Sequence, residues 1–177
     1  MPAMRLAPLA AAGSLLALAG CAGGEDEKFA PPCPSAGIVR DAADLSRFRG
    51  AGRDLTDSVL DGRITGIEGR CARDGAATTV TTVKVGIELT RGPAAPSRRV
   101  ELAYFVAVLD GDRILDKQVF PLRAEFPDNA DRLRLVGDEV ELRLPVNATK
   151  TAAAYRIQVG FQLTPVELEL NRRRGLR

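Results

Sequence analysis

Apolar and polar positions alternate along much of the chain from about residue 60 onward. In "TTVKVGIELT", Thr81 to Thr90, the residues Val83, Val85, Ile87 and Leu89 share one face. "DEVELRLPV" places Val140, Leu142 and Leu144 together, and "AYRIQVGFQL" does the same with Tyr155, Ile157, Val159, Phe161 and Leu163. A period of two marks a strand with one face on a core and the other in water. "GRITGIEGRC" also alternates around Ile64 and Ile67, but Gly66 disturbs the phase. "RRVELAYFVAVLD", Arg98 to Asp110, is different: from Leu102 onward it is apolar on both faces. Such a strand is expected to be central and buried on both sides, or covered by a partner. "DGD" at Asp110 to Asp112 signals a hairpin turn, with "RILDKQVFPL" as the returning strand.

Helical signals lie only at the edges of this pattern. "DAADLSRF", Asp41 to Phe48, reads as one or two helical turns, with Asp41 as cap and Leu45 and Phe48 turned inward. "RGAGRD" and "RGPAAPS" read as loops. Near the end, Thr164, Pro165 and Glu167 match a cap, a first helical position and a capping-box glutamate. The spacing of Val166 and Leu170 predicts that these two dock on the sheet while Arg172 to Arg174 stay in solvent. Six or seven strands with short flanking helices fit a mainly β fold, an immunoglobulin-like antiparallel β-sandwich. A small β-barrel is the alternative.

The first 20 residues depart from this pattern. Arg5 is the only charge before Cys21, and Leu6 to Leu18 are mostly Leu and Ala. A positive start, a short apolar run and small residues before a cut site form a secretory signal. The run is too short for a spanning helix, which needs about 20 apolar residues. "LAGC", Leu18 to Cys21, resembles the lipobox of bacterial lipoproteins. That resemblance implies cleavage before Cys21 and acylation of this cysteine, so that the membrane is reached through lipid. The absence of Asp at Ala22 implies sorting to the outer membrane, with the domain facing the periplasm. "AGGEDEKFAPP" then reads as a tether. The expected organisation is a signal at 1–20, lipidated Cys21 and tether at 21–32, and a single β-rich periplasmic domain at 33–177. Within it, "YFVAV" and "VGFQLTPVELELNR" resemble stretches of small alphaproteobacterial lipoproteins. No activity is attached to that group, so the resemblance implies no chemistry.

Charge and composition narrow the function classes. The chain has 177 residues, 25 basic against 23 acidic, for a net charge of +2. Acidic residues are interspersed with the arginines, so no nucleic-acid surface is expected. Three cysteines are present. With Cys21 committed to lipid, Cys33 and Cys71 remain, and in an oxidising compartment they read as a disulfide. Two thiols in a chain without histidine make a poor zinc site.

The lack of histidine also removes the commonest general base and the Ser-His-Asp and Cys-His arrangements. Asp110, Asp112 and Asp116 superficially suggest calcium, but they fit a hairpin turn better than a loop with enough oxygen ligands. Asp128, Asp131, Glu139 and Glu141 offer carboxylates for glycosidase-type chemistry, as any soluble domain does. "NAT" at Asn147 is a glycosylation sequon by letters only. The dense basic cluster, Arg172, Arg173, Arg174 and Arg177, could contact an anionic head group or polymer, or be a solvated helix end. The expectation is a non-enzymatic envelope module without cofactor or metal, binding an envelope protein. A carboxylate-based envelope glycan hydrolase and a binder of anionic envelope polymer are the alternatives.

Overall fold

The computed structural model describes residues 32–175. The expected signal, Cys21 and nearly all of the expected tether lie outside the described residues, as does Arg177. Nine strands and one α-helix follow in order: β1 (Ser35–Ile38), β2 (Asp44–Phe48), β3 (Ser58–Asp74), β4 (Thr78–Arg91), β5 (Arg99–Asp110), β6 (Arg113–Glu125), β7 (Arg132–Val136), β8 (Val140–Pro145), β9 (Tyr155–Phe161) and α1 (Pro165–Arg174). They form two sheets, one ordered β1-β9-β5-β6 and the other β2-β3-β4-β7, with β8 also on β4. The expected β-sandwich is what the chain builds, without closure into a barrel.

The alternation seen in the sequence sets the packing. Val83, Val85, Ile87 and Leu89 of β4 face Tyr104, Val106, Ile157, Val159 and Phe161 of the other sheet across one core. Gly66 restores the inward phase of β3. Ile64 pairs with Ile87 and Gly66 with Gly86, so Thr65 is an extra residue in β3. That bulge lets Ile64 and Ile67, three apart, face the same side.

Nine strands exceed the expected six or seven, and three of them lie outside the six stretches read as strands from the sequence. β1 pairs in parallel with β9, against the antiparallel expectation. β7 carries Leu133 and Leu135 opposite Leu89 and Ile87. The third is a correction: Asp44–Phe48 is a strand, and the helical content of that stretch is one 3-10 turn at Arg40–Ala42. Asp41 does not cap it. Leu45 is buried in the core through pairing with β3, a gain that outweighs the local helical signal.

Candidate functional site

β5 is central, held between β6 and β9. Its even-numbered residues, Leu102 to Val108, face the core, so Ala103, Phe105, Ala107 and Leu109 face outward. The ladders give them apolar neighbours: Val119 opposite Phe105, Pro121 opposite Ala103 and Ile114 opposite Leu109. On the other side, Gly160 lies opposite Phe105. A Cβ on Gly160 would come within 2.8 Å of the Phe105 ring and of Ala42, so the ring occupies the space beside this glycine. Ile114 is 59% exposed and Val119 48%. Together these residues make a contiguous apolar stripe on the outward face of the sheet.

Ion pairs rim the stripe. Arg123 meets Glu101 at 3.0 Å, Arg99 meets Glu125 at 3.2 Å and Arg156 meets Asp112 at 3.0 Å. Lys117 stands apart, because its ammonium has no carboxylate partner among the described residues. It sits over the Phe105 ring, 4.4 Å from the centroid.

The free edge of β6, beside the stripe, is guarded. Ala103 accepts a hydrogen bond from the Gln162 N–H, just past the end of β9. Its backbone groups therefore point away from β6, and those of its neighbour Pro121 point to the free edge. The missing N–H of Pro121 costs the ladder nothing and removes a donor where another strand would add. Asp116 and Gln118 occupy core-facing positions of β6, and Gln118 donates to Asp116 at 2.8 Å. They rim an opening of about 230 Å³ between β6 and β8, lined by Val108, Leu142, Leu144 and Tyr155. Inward polar groups at an open edge discourage strand addition.

Cys33 and Cys71 form the expected pair, with Cα atoms 5.8 Å apart. Within the basic cluster, Arg172 and Arg173 stay exposed as expected, each with an ion-pair partner, and Arg174 alone turns inward. Arg172 pairs with Asp41 at 3.3 Å and Arg173 with Glu169 at 3.6 Å. Arg174 is half-buried, donating to Ser46 Oγ and lying over the Phe48 ring. Of the two apolar residues expected to dock α1, Leu170 is half-buried, but Val166 is corrected. Val166 is 64% exposed. The helix instead engages β2 through Glu167, Asn171 and Arg174, spaced four and three apart on one face. Its capping box is complete, with Thr164 and Glu167 each bonding the other's backbone.

The acidic candidates serve local structure. Asp110, Gly111 and Asp112 make the hairpin, with Gly111 at φ 59°. A hydrogen bond from Lys150 holds the Asp110 carboxyl below its usual range, and Asp116 accepts from Gln118. Asp131 pairs with Arg91, Glu139 with Arg70 and Lys84, and Glu141 with Arg143. Asn147 Oδ1 accepts from both the N–H and the hydroxyl of Thr149, closing a turn. Among the described residues no group of three or more His, Cys, Asp or Glu gathers to hold a metal, and no helix is long and apolar enough to cross a membrane.

The two apolar faces of β5 are legible in the sequence, and the rest of the stripe is not. The pairing of Ile114, Val119 and Pro121 onto it depends on a bulge between Val108 and Leu109, which shifts the register. Comparison of the chain with protein-family models, curated proteins and solved structures gives no match.

Proposed function

We propose that the chain is a lipid-anchored envelope protein, held at the outer membrane through acylated Cys21, whose sandwich binds another envelope protein. The outward face of β5 and β6 is the contact surface. One observation carries this reading: the stripe formed by Phe105, Leu109, Ile114 and Val119 remains partly open to water on a face rimmed by ion pairs. A partner of matching chemistry presents an apolar patch with a carboxylate placed to meet Lys117, the unpaired cation of this face. Proline and inward polar groups on the β6 edge favour contact by the face over contact by strand addition.

Mild crosslinking of intact envelopes, followed by purification of the chain, tests both parts. Wild type should yield a discrete adduct with one envelope protein. Ile114→Lys with Val119→Lys should abolish it while leaving the thermal melt unchanged, because both side chains are already exposed. Persistence of the adduct in this variant overturns the surface assignment. Cys21→Ser should abolish labelling by a palmitate analogue, and equal labelling of the variant overturns the anchor.

A further inference from the structure

β2 is the other outer strand of its sheet, and α1 covers it. The Ile64 N–H donates to Ala43 O, which fixes the phase of the β2–β3 ladder. Ala43, Leu45 and Arg47 therefore direct their backbone groups to β3, while Asp44 and Ser46 direct theirs to the free edge. There, the Asn171 carboxamide donates to Asp44 O at 2.7 Å and to Asp41 O at 2.9 Å. Glu167 meets Arg47 at 2.9 Å, and Arg174 reaches Ser46 Oγ at 3.3 Å. A side-chain amide thus occupies the place of a neighbouring strand's N–H.

The helix that does this is held weakly. None of its residues is buried. Its polar contacts are hydrogen bonds and ion pairs, for which water competes, and its apolar contribution is limited to half-buried Leu168 and Leu170 and to Arg174 over the Phe48 ring. The strand beneath is anchored independently, by Leu45 in the core and by the ladder to β3. α1 can therefore leave without dismantling the sandwich, and its departure uncovers a row of unpaired backbone groups.

We propose that α1 is a detachable strap, and that β2, once uncovered, pairs antiparallel with β2 of a second copy of this chain. Charge complementarity favours that occupant. Pairing about a two-fold axis at Ser46 sets Asp44 of one copy opposite Phe48 of the other. The Phe48 ring carries the Arg53 guanidinium at 5.3 Å, so at both ends of the junction an Asp44 carboxylate, held by Arg63 of its own copy at 2.8 Å, gains a second cation from the other. This surface is separate from the apolar stripe, and the proposal stands without the proposed function.

The full chain in detergent micelles provides the test. Two-fold pairing makes Ser46 its own neighbour, so Ser46→Cys reports the contact by forming a disulfide between copies. In a Glu167→Ala, Asn171→Ala background, which frees the strap, the crosslinked dimer should be several-fold more abundant than with the strap intact. Adding Asp44→Pro, which removes an N–H directed at the free edge, should erase it. Equal crosslinking with strap intact and freed overturns the proposal, as does a dimer that survives Asp44→Pro. Should the freed-strap variant lose its cooperative melt, the strap is no separable element and the proposal fails. Hydrogen exchange of the wild-type chain gives an independent reading: amides of α1 should exchange many-fold faster than those of β4, and equal protection refutes the strap.

Discussion

Cys33 and Cys71 hold their Cα atoms 5.8 Å apart, joining the segment just before β1 in one sheet to the far half of β3 in the other. The link is useful because β1 is short. Four residues pair it to β9, and its burial is partial at best. The covalent tie holds the start of the domain to the longest strand.

Reduction should therefore destabilise the domain measurably. A cross-link closing 38 residues removes chain entropy from the unfolded state worth about 4 kcal/mol. Denaturant unfolding with and without reductant checks this, as does Cys33→Ser with Cys71→Ser. An unchanged midpoint would show that the pair contributes nothing to stability.

Gly62 and Gly66, both in β3, should respond oppositely to alanine. A Cβ at Gly62 would lie 3.1 Å from Leu89 Cδ2, 3.2 Å from Phe161 Cζ and 3.5 Å from Leu45 Cβ. These are core side chains with nowhere to go, so Gly62→Ala should cost about 1–3 kcal/mol. A Cβ at Gly66 meets nothing within 4 Å. Gly66→Ala should be near neutral or stabilising, since it narrows the unfolded ensemble. Paired thermal melts decide it.

Alternation revealed most of the long strands because each has one wet and one dry face. It revealed the Thr65 bulge as well, as a break in phase at Gly66, and the cap of α1, because Thr164, Pro165 and Glu167 act locally. The remainder depends on distant partners. β1, "SAGI", has no alternation to read and exists through its pairing with β9. β2 reads as helix because Leu45 and Phe48 are three apart, yet β3 draws it into the sheet. The docking of α1 was hidden for a related reason. Helical spacing picks out apolar positions, whereas this helix binds through Glu167, Asn171 and Arg174 to groups 120 or more residues earlier.

The inward polar pair on β6 offers a third prediction. Asp116→Val with Gln118→Val should keep or raise the melting temperature, because both positions open onto the apolar lining of Val108, Leu142 and Leu144. The same change removes the guard from the β6 edge, so self-association should increase. Sedimentation across a concentration series measures it. A variant as monomeric as wild type would mean that Pro121 alone suffices to protect this edge.

Docking of α1 should weaken in acid, and Glu167 sets the direction. Burial raises the pKa of this carboxyl, but the Thr164 backbone and hydroxyl and the Arg47 guanidinium outweigh it, so the folded value falls below the ordinary 4.5. A depressed carboxylate adds stability that is present above its unfolded pKa and lost as pH falls through the folded one. Neutral to mildly acidic solution should thus leave the helix in place, and protection should decline only below about pH 4.5. Protonation there removes the charge that holds Arg47 and weakens the acceptor for the Thr164 N–H. Hydrogen exchange of residues 164–175, corrected for the intrinsic pH dependence of exchange, follows the change. Glu167→Gln keeps the shape without the titrating group, so its helix should exchange faster than wild type at neutral pH and show little further loss in acid. An equal acid response in wild type and Glu167→Gln would assign the loss to another group and remove Glu167 from the latch.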